Sequence, residues 1–224
     1  MPFRFSPIAI FLICAASVLA DWRTDGGYTQ LQAELGESLP TGSGIVVLHC
    51  EAATSTPTPP QTVGAYLPQS GVTSSPFSGT SPFTGQTFYA ESGLSDNSGH
   101  AFTVGVLFYS GGGVSPGVGE IHCYEANDFL NRLLDSTPPP TVIGQVQNHS
   151  YIGSTDDTAT DTELIRRYDA MVDAQGTVLC VPLNNGSNTT VPALPSCSYH
   201  AICAGLRNGN HSRGGTTVDT LPGG

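Results

Sequence analysis

The sequence predicts an α/β fold in which helices flank a mostly parallel sheet. Residues 44–51 and 177–183 form continuous apolar runs that stop at polar residues, a pattern typical of strands buried on both faces. Residues 161–175 place apolar side chains at helical spacing behind an acidic first turn, and Gly176 ends the predicted helix. Predicted strands and helices alternate along the chain, as they do in proteins built from consecutive βα units.

Shorter segments complete the order of elements. Helical spacing predicts a helix over residues 28–36, ending on Gly36, and another over residues 99–108 with His100 at its start. Residues 53–99 are rich in Pro, Ser, Thr and Gly, so we expect a loop-rich crossing with one short strand near Phe88. The remaining predictions are strands at 120–126, 142–151 and 199–206 and a short helix at 127–134.

Length and composition are those of one domain with a substantial core. The chain has 224 residues, of which 38% are hydrophobic and 11% charged, and its formal net charge is -11. A chain this acidic lacks the basic surface that binds DNA or RNA, and it would not be drawn to an anionic membrane surface. We therefore expect no nucleic acid and no membrane surface as partner.

The N-terminal segment is typical of a secretory signal. Arg4 supplies a positive charge, residues 8–19 are uncharged and largely apolar, and Val18-Leu19-Ala20 fits a cleavage site of small residues. The apolar run is shorter than the ~20 residues of a membrane-spanning helix, although an uncleaved anchor stays open as an alternative. We expect residues 1–20 to be a signal peptide and residues 21–224 to be a domain that is secreted, periplasmic or at the cell surface.

Three polar residues stand where α/β folds commonly carry functional side chains. Glu51 ends the first apolar strand, His100 opens a helix, and Asn184 follows the strand at 177–183. Each is a weak signal by itself, because strand-end acids are often solvated, histidines at helix starts are usually caps, and Asn-Asn-Gly is usually a turn. Their order along the chain carries the information.

The order of these residues, together with the short sequence motifs around them, resembles that of the subtilisin family of serine peptidases. In that family one strand ends in an acid, a helix opening in H-G-T-H-V carries the general base, and a later strand ends in an oxyanion-hole G-N. The resemblance covers roughly residues 40–215. The matching segments are 44–51, 99–105 (GHAFTVG), 114–118 (VSPGV, for the family's V-A-P-x-A), 148–153 (NHSYIG, for N-x-S-x-G), 181–186 (VPLNNG, for A-A-G-N-x-G) and 198–205 (SYHAICAG, for S-x-x-A-I-x-V-G).

The resemblance implies a subtilisin-like sheet and a site for peptide-bond hydrolysis. His100 would be the general base, Glu51 would orient its imidazole, and Asn184 would donate a hydrogen bond to the oxyanion. No cofactor is implied, and no metal site is expected, because neither a zinc spacing nor a calcium ligand set is readable in the sequence. An extended polypeptide substrate would bind by strand addition, and the residues implied for it are Asn148, Ser150 and Gly153.

Two positions differ in residue type from the family's pattern. The acid is Glu51, where the family usually carries Asp, and the helix begins G-H-A rather than H-G-T. Acid–histidine pairs with Glu occur in other hydrolases, so the longer side chain does not exclude the role. Glu91 and Asp96 are rival acids, but neither ends a buried apolar run.

The family's nucleophile has no counterpart in this sequence. It lies in a G-T-S-x-A/S-x-P segment downstream of the other motifs, and nothing after Ser198 resembles that segment. Ser212 is followed by no apolar helix, and Ser81 in Gly79-Thr80-Ser81-Pro82 precedes His100 in the chain. We therefore expect a peptidase domain that is incomplete at its C-terminus, truncated before the catalytic serine, and inactive by itself.

Two other functions stay open at this point. One is a catalytically silent exported binding or surface protein that has the same fold. The other is a carboxylate-based hydrolase that pairs Glu51 with Asp156 or Asp157. Nothing in the sequence fixes that spacing, and the acid pair is better placed to cap the helix that begins near Asp161.

Overall fold

The chain divides into two units, Met1–Leu39 and Pro40–Gly224. A computed structural model of the chain describes residues 22–54, 64–136, 141–155, 157–183 and 194–205. Within these ranges no helix is both long enough and apolar enough to cross a bilayer. The predicted signal peptide, residues 1–20, lies outside the described residues.

The first unit is helical in its described part. It contains α1 (Trp22–Asp25), α2 (Tyr28–Leu35) and a single 3-10 turn (Gly36–Ser38). Helix α2 ends at Gly36, as the sequence predicts. Gly36 has a φ of 52°, in the region that favours glycine, and its backbone N–H donates to the carbonyl of Gln32.

The second unit is built on a sheet, and its described residues contribute seven strands. Across the sheet the order is β2-β3-β4-β1-β5-β6-β7, and every neighbouring pair is parallel except β2 and β3. The predicted α/β class with a mostly parallel sheet is therefore confirmed. The strands are β1 (Val46–Glu51), β2 (Phe77–Ser78), β3 (Thr87–Ala90), β4 (Glu120–Glu125), β5 (Val146–His149), β6 (Val178–Pro182) and β7 (Ala201–Ala204).

Helices connect the parallel strands and cover both faces of the sheet. They are α3 (Gly99–Phe108) between β3 and β4, α4 (Ala126–Asp135) between β4 and β5, and α5 (Thr158–Gln175) between β5 and β6. Side chains alternate along β1, so Val47 packs in one core with Tyr109, the residue after α3. Leu48 packs in the other core, with Phe129 of α4 and Tyr168 of α5.

Most element boundaries agree with the predictions, and the differences have local causes. β2 was not predicted, because two residues are too short to show a periodic pattern. It forms because Phe77 pairs with Phe88, and the two rings stack with centroids 5.3 Å apart. The strand predicted at 142–151 is shorter, since only Val146–His149 pairs with its neighbours.

Helix α5 begins three residues before the predicted start because Asp157 is its N-cap. The Asp157 carboxylate accepts hydrogen bonds from the backbone N–H groups of Ala159 and Thr160, at 3.3 and 3.1 Å. Because this carboxylate caps the helix, Asp157 does not serve as the second acid of a carboxylate-based hydrolase. Asp156 lies outside the described residues.

Removing this cap should destabilise the fold by a small, measurable amount. Asp157→Ala should lower the free energy of unfolding, because two backbone N–H groups lose their acceptor. Asp157→Asn should cost far less, since asparagine caps helices as well as aspartate does. Urea denaturation of the three proteins measures both effects, and an equal loss in the two variants would contradict the assignment of the cap.

Candidate functional site

The candidate site lies at the carboxyl edge of the sheet. β1 is the central strand, with β4 on one side and β5 on the other. After β1 the chain continues toward β3 and β4, whereas after β5 it continues toward β6, so the two connections diverge. In open α/β sheets such a switch point forms the crevice in which ligands bind. Glu51, the last residue of β1, stands at this crevice.

Helix α3 brings His100 to Glu51. Ser98 caps the helix, because its hydroxyl accepts from the backbone N–H of Ala101 at 3.3 Å, while its own N–H donates to the carbonyl of Leu67 at 2.8 Å. With the first turn held in this way, Nδ1 of His100 lies 2.6 Å from Oε2 of Glu51. An ionised carboxylate only accepts hydrogen bonds, so a neutral His100 carries its proton on Nδ1.

The pair spans the boundary between core and solvent. The Glu51 side chain is 1% exposed and that of His100 is 55% exposed. Within the described part of the chain, Nε2 of His100 forms no hydrogen bond, so this atom can accept a proton from an incoming group. In such an arrangement, with the carboxylate buried and the imidazole accessible, the histidine can exchange a proton at its second nitrogen while the carboxylate holds the first.

Each member of the pair favours the charged form of the other. Burial acts most strongly on Glu51 and would raise its pKa, but hydrogen bonds from His100 and His49 outweigh it and hold the pKa of the carboxyl below its usual value. The hydrogen bond to Glu51 is the main influence on His100 and raises its pKa above the usual value, against the effect of partial burial.

Other acids near this edge are engaged elsewhere. Oε1 of Glu91 lies 2.7 Å from Nδ1 of His122, and Asp96 accepts a hydrogen bond from the backbone N–H of the next residue at 2.7 Å. Glu125 ends β4 beside Glu51 in register, but as the N-cap of α4 its carboxylate accepts from the backbone N–H of Asp128 and from the side-chain amide of Asn127. Of these acids, Glu51 is the one that contacts His100.

Two residues that the sequence analysis did not single out lie directly behind Glu51. Nε2 of His49 is 2.7 Å from Oε1 of Glu51, and Nδ1 of His49 is 2.8 Å from the hydroxyl of Tyr109. Both side chains are buried, at 1% and 0% exposure. One signal was present in the sequence: His49 precedes Glu51 by two positions in a strand, so both side chains point to the same face.

The implied substrate strand is only partly accessible. Asn148 lies in β5, whose backbone pairs with β1 on one side and β6 on the other, and its amide donates to the hydroxyl of Ser150 at 2.6 Å. The backbone N–H of Ser150 donates to the carbonyl of Cys50. Gly153 exchanges both backbone hydrogen bonds with Leu194, at 2.8 and 2.9 Å.

In this structure the backbone of Gly153 already has a partner, because the chain returns at Leu194 and forms an antiparallel bridge there. The implied role of Gly153 in substrate binding stays a prediction. Between Ser150 and Gly153, only Tyr151 and Ile152 remain for strand addition.

Two further residues of the sequence analysis, Asn184 and Ser81, are not brought to His100 by any described contact. Asn184 lies outside the described residues. Ser81 lines a cavity together with Asn97 and Phe102, and among the described residues its hydroxyl forms no hydrogen bond to His100. In the described ranges, no three His, Cys, Asp or Glu side chains are grouped in a way that could hold a metal ion.

No protein-family model matches this chain. No curated protein matches it with significant similarity. The geometry around Glu51 and His100 is therefore the basis for a proposed function.

Proposed function

We propose that the complete protein is an exported serine endopeptidase of subtilisin type. One observation carries the proposal: a buried glutamate at the end of the central strand binds Nδ1 of an accessible histidine at the switch point of the sheet. This geometry suits a base that takes a proton from a hydroxyl nucleophile, because the ring is half-exposed and its Nε2 forms no hydrogen bond to the described residues.

The proposed mechanism assigns a separate role to each of three residues. His100 takes the serine proton on Nε2 as the serine oxygen attacks the peptide carbonyl, and it then gives that proton to the leaving amine. Glu51 stabilises the imidazolium that forms between these two steps. Asn184 donates a hydrogen bond to the oxyanion, and loss of one such donor costs ~3–4 kcal/mol of transition-state stabilisation.

The serine is the part of this proposal that the present sequence does not contain. We expect it in a G-T-S-x-A/S-x-P segment, followed by an apolar helix, in the reading frame beyond Gly224. The polypeptide substrate would lie across the carboxyl edge of β1 and β5, with its backbone against Tyr151 and Ile152. No cofactor and no metal ion takes part in the proposed steps.

Labelling of the complete secreted protein by a serine-reactive fluorophosphonate tests the proposal. The wild-type protein should be labelled at one serine, and His100→Ala should slow labelling by at least about 100-fold, the usual lower limit for a lost general base. His200→Ala is the matched control, because His200 is also an exposed histidine but lies before β7, away from Glu51. It should be labelled at the wild-type rate.

Two outcomes would overturn the proposal. Equal labelling of wild type and His100→Ala would remove His100 from the mechanism. A protein that ends without a serine of this kind, and that neither labels nor cleaves casein, would instead support the catalytically silent binding protein.

A further inference from the structure

We infer that His49, backed by Tyr109, is a positioning residue that holds the Glu51 carboxylate in the orientation that His100 requires. The inference rests on the proposed roles of Glu51 and His100, and it adds two residues that neither the motifs nor their order indicate. It concerns the contact of Glu51 with the core, whereas the proposed function concerns its contact with His100.

Four side chains form one continuous hydrogen-bonded line from the core to the surface. The hydroxyl of Tyr109 is 2.8 Å from Nδ1 of His49, Nε2 of His49 is 2.7 Å from Oε1 of Glu51, and Oε2 of Glu51 is 2.6 Å from Nδ1 of His100. Three of the four side chains are at most 1% exposed, and only His100 reaches solvent.

The direction of each hydrogen bond follows from the chemistry of the groups. The carboxylate can only accept, so His49 donates from Nε2 and His100 donates from Nδ1. A neutral His49 then has an acceptor at Nδ1, and the hydroxyl of Tyr109 must donate to it. Each oxygen of Glu51 therefore has one fixed donor, and the carboxylate cannot rotate without losing both.

The hydrogen-bonded line is held in place by packing in the core. His49 sits in the central strand, in register with Cys123 of β4 and Asn148 of β5. Tyr109 is fully buried against the ring of Phe88 in β3 and that of Phe83, which precedes this strand. Gly105 makes room for it, because a Cβ at that position would lie 2.7 Å from the Tyr109 hydroxyl.

Without the His49 donor, Oε1 of Glu51 would be buried and unsatisfied, a state that costs free energy and that rotation of the carboxylate would relieve. Rotation would move Oε2 away from Nδ1 of His100. The proton of the neutral imidazole would then no longer be restricted to Nδ1, and part of the population would carry it on Nε2, where it blocks catalysis.

A matched pair of substitutions separates this role from simple space filling. Glutamine and methionine have the same side-chain length, but only glutamine places an N–H near the position of Nε2. In the complete protein, His49→Met should lower kcat by about 10- to 100-fold with KM unchanged, as loss of an outer partner does for metal-bound histidines. His49→Gln should keep kcat within a few fold of wild type.

The ring ¹⁵N chemical shifts of His100 provide a readout that does not depend on activity. Above its pKa, His100 should show the Nδ1–H form in wild type and in His49→Gln, and a mixture of the two neutral forms in His49→Met. Tyr109→Phe, which removes one hydroxyl and keeps the ring, should change the shifts in the same direction by a smaller amount. If His49→Met does not fold, the shifts of Tyr109→Phe test the inference in its place.

His122→Met is the control for the loss of a buried histidine. His122 is 3% exposed and contacts Glu91 and Glu120, but it is in register with Leu48, so its side chain lies on the opposite face from His49. It should leave kcat and the His100 shifts unchanged. Identical behaviour of His49→Gln and His49→Met, or an unchanged Nδ1–H form in both His49→Met and Tyr109→Phe, would overturn the inference.

The two proposals fail in different ways. If the wild-type protein hydrolyses no peptide, the proposed function is wrong, while the ¹⁵N shifts still decide whether His49 orients Glu51. If peptides are hydrolysed but the shifts of His100 do not respond to position 49, the peptidase stands and the positioning role falls.

Discussion

Glu51→Gln should lower kcat/KM of the complete protein by about 10⁴-fold, the size of the loss when the acid of a serine peptidase triad becomes its amide. Most of the loss should be in kcat, because Glu51 is buried and has no direct access to a substrate. The variant keeps the volume of the side chain and removes its charge. Initial rates on a chromogenic peptide measure the effect.

The hydrogen-bond directions explain why an amide cannot replace this carboxylate. His49 presents an N–H to position 51 as long as Tyr109 donates to its other nitrogen. The amide oxygen of the new glutamine therefore faces His49, and its NH₂ group faces His100. His100 must then accept at Nδ1, which leaves its proton on Nε2, the atom that should take the proton of the nucleophile.

The pH profile should change together with the rate. His100 acts as a base only when it is neutral, and its hydrogen bond to Glu51 raises its pKa. In wild type, kcat/KM should therefore rise as the pH increases through this raised pKa, above the ordinary histidine value of about 6.5. In Glu51→Gln the rise should move to lower pH.

Glu91→Gln is the matched control, because Glu91 also contacts a histidine, His122, at 2.7 Å. It should leave both the rate and the profile unchanged. A similar loss in the two variants would mean that Glu51 acts through stability alone, and the role assigned to its contact with His100 would be wrong.

The fold should lose about 3 kcal/mol of stability between pH 7 and pH 4 through one buried histidine, His149. Burial lowers the pKa of His149 to about 3. The unfolded chain, with an ordinary histidine pKa of about 6.5, therefore binds a proton below that pH that the folded chain does not bind. The resulting loss of stability is absent above about pH 6.5, grows as the pH falls, and levels off below about pH 3.

The surroundings of His149 leave no place for a charged ring. Its Nε2 is 3.2 Å from Oε1 of Gln147 and its Nδ1 is 3.3 Å from the hydroxyl of Tyr168, so a neutral ring donates once and accepts once. The rings of Phe129, Tyr151 and Tyr168 surround it, with centroids at 4.8, 5.8 and 5.4 Å. A proton on Nδ1 would face a hydroxyl that is itself donating.

Denaturant unfolding at a series of pH values measures this effect. His149→Gln cannot titrate, so about 3 kcal/mol of the loss between pH 7 and pH 4 should disappear even if the variant is less stable at pH 7. Tyr168→Phe should be less stable at every pH but keep most of the slope, because His149 stays buried. An unchanged slope in His149→Gln would refute the assignment.

Local patterns in the sequence predicted the elements that carry the candidate site, but not the contacts behind it. The apolar run that ends at Glu51 and the helix that begins at Gly99 are each visible in a short window, so their positions followed from periodicity. The contact of His49 with Tyr109 joins residues 60 positions apart. It depends on which face of β1 the helix α3 covers, and no local pattern contains that information.

The same limit applies to the backbone pairing of Gly153. The motif at 148–153 suggested a strand with a free backbone edge, but the backbone partner of Gly153 is Leu194, which is distant in the chain. Backbone pairing between remote segments depends on the whole topology, whereas a turn or a helix cap such as Asp157 depends on a few neighbours. Caps and helices were accordingly easier to predict than the backbone pairing of residues 148–153.

The central position of β1 has a consequence for how the protein acquires its structure. Val46 pairs with Glu120 and Val47 pairs with Val146, so β1 is synthesised long before either neighbouring strand. Long loops must close before these pairings contribute any stability, which makes such parallel sheets slow to fold. Until then an apolar strand has no partner, and we expect aggregation during refolding to begin at β1.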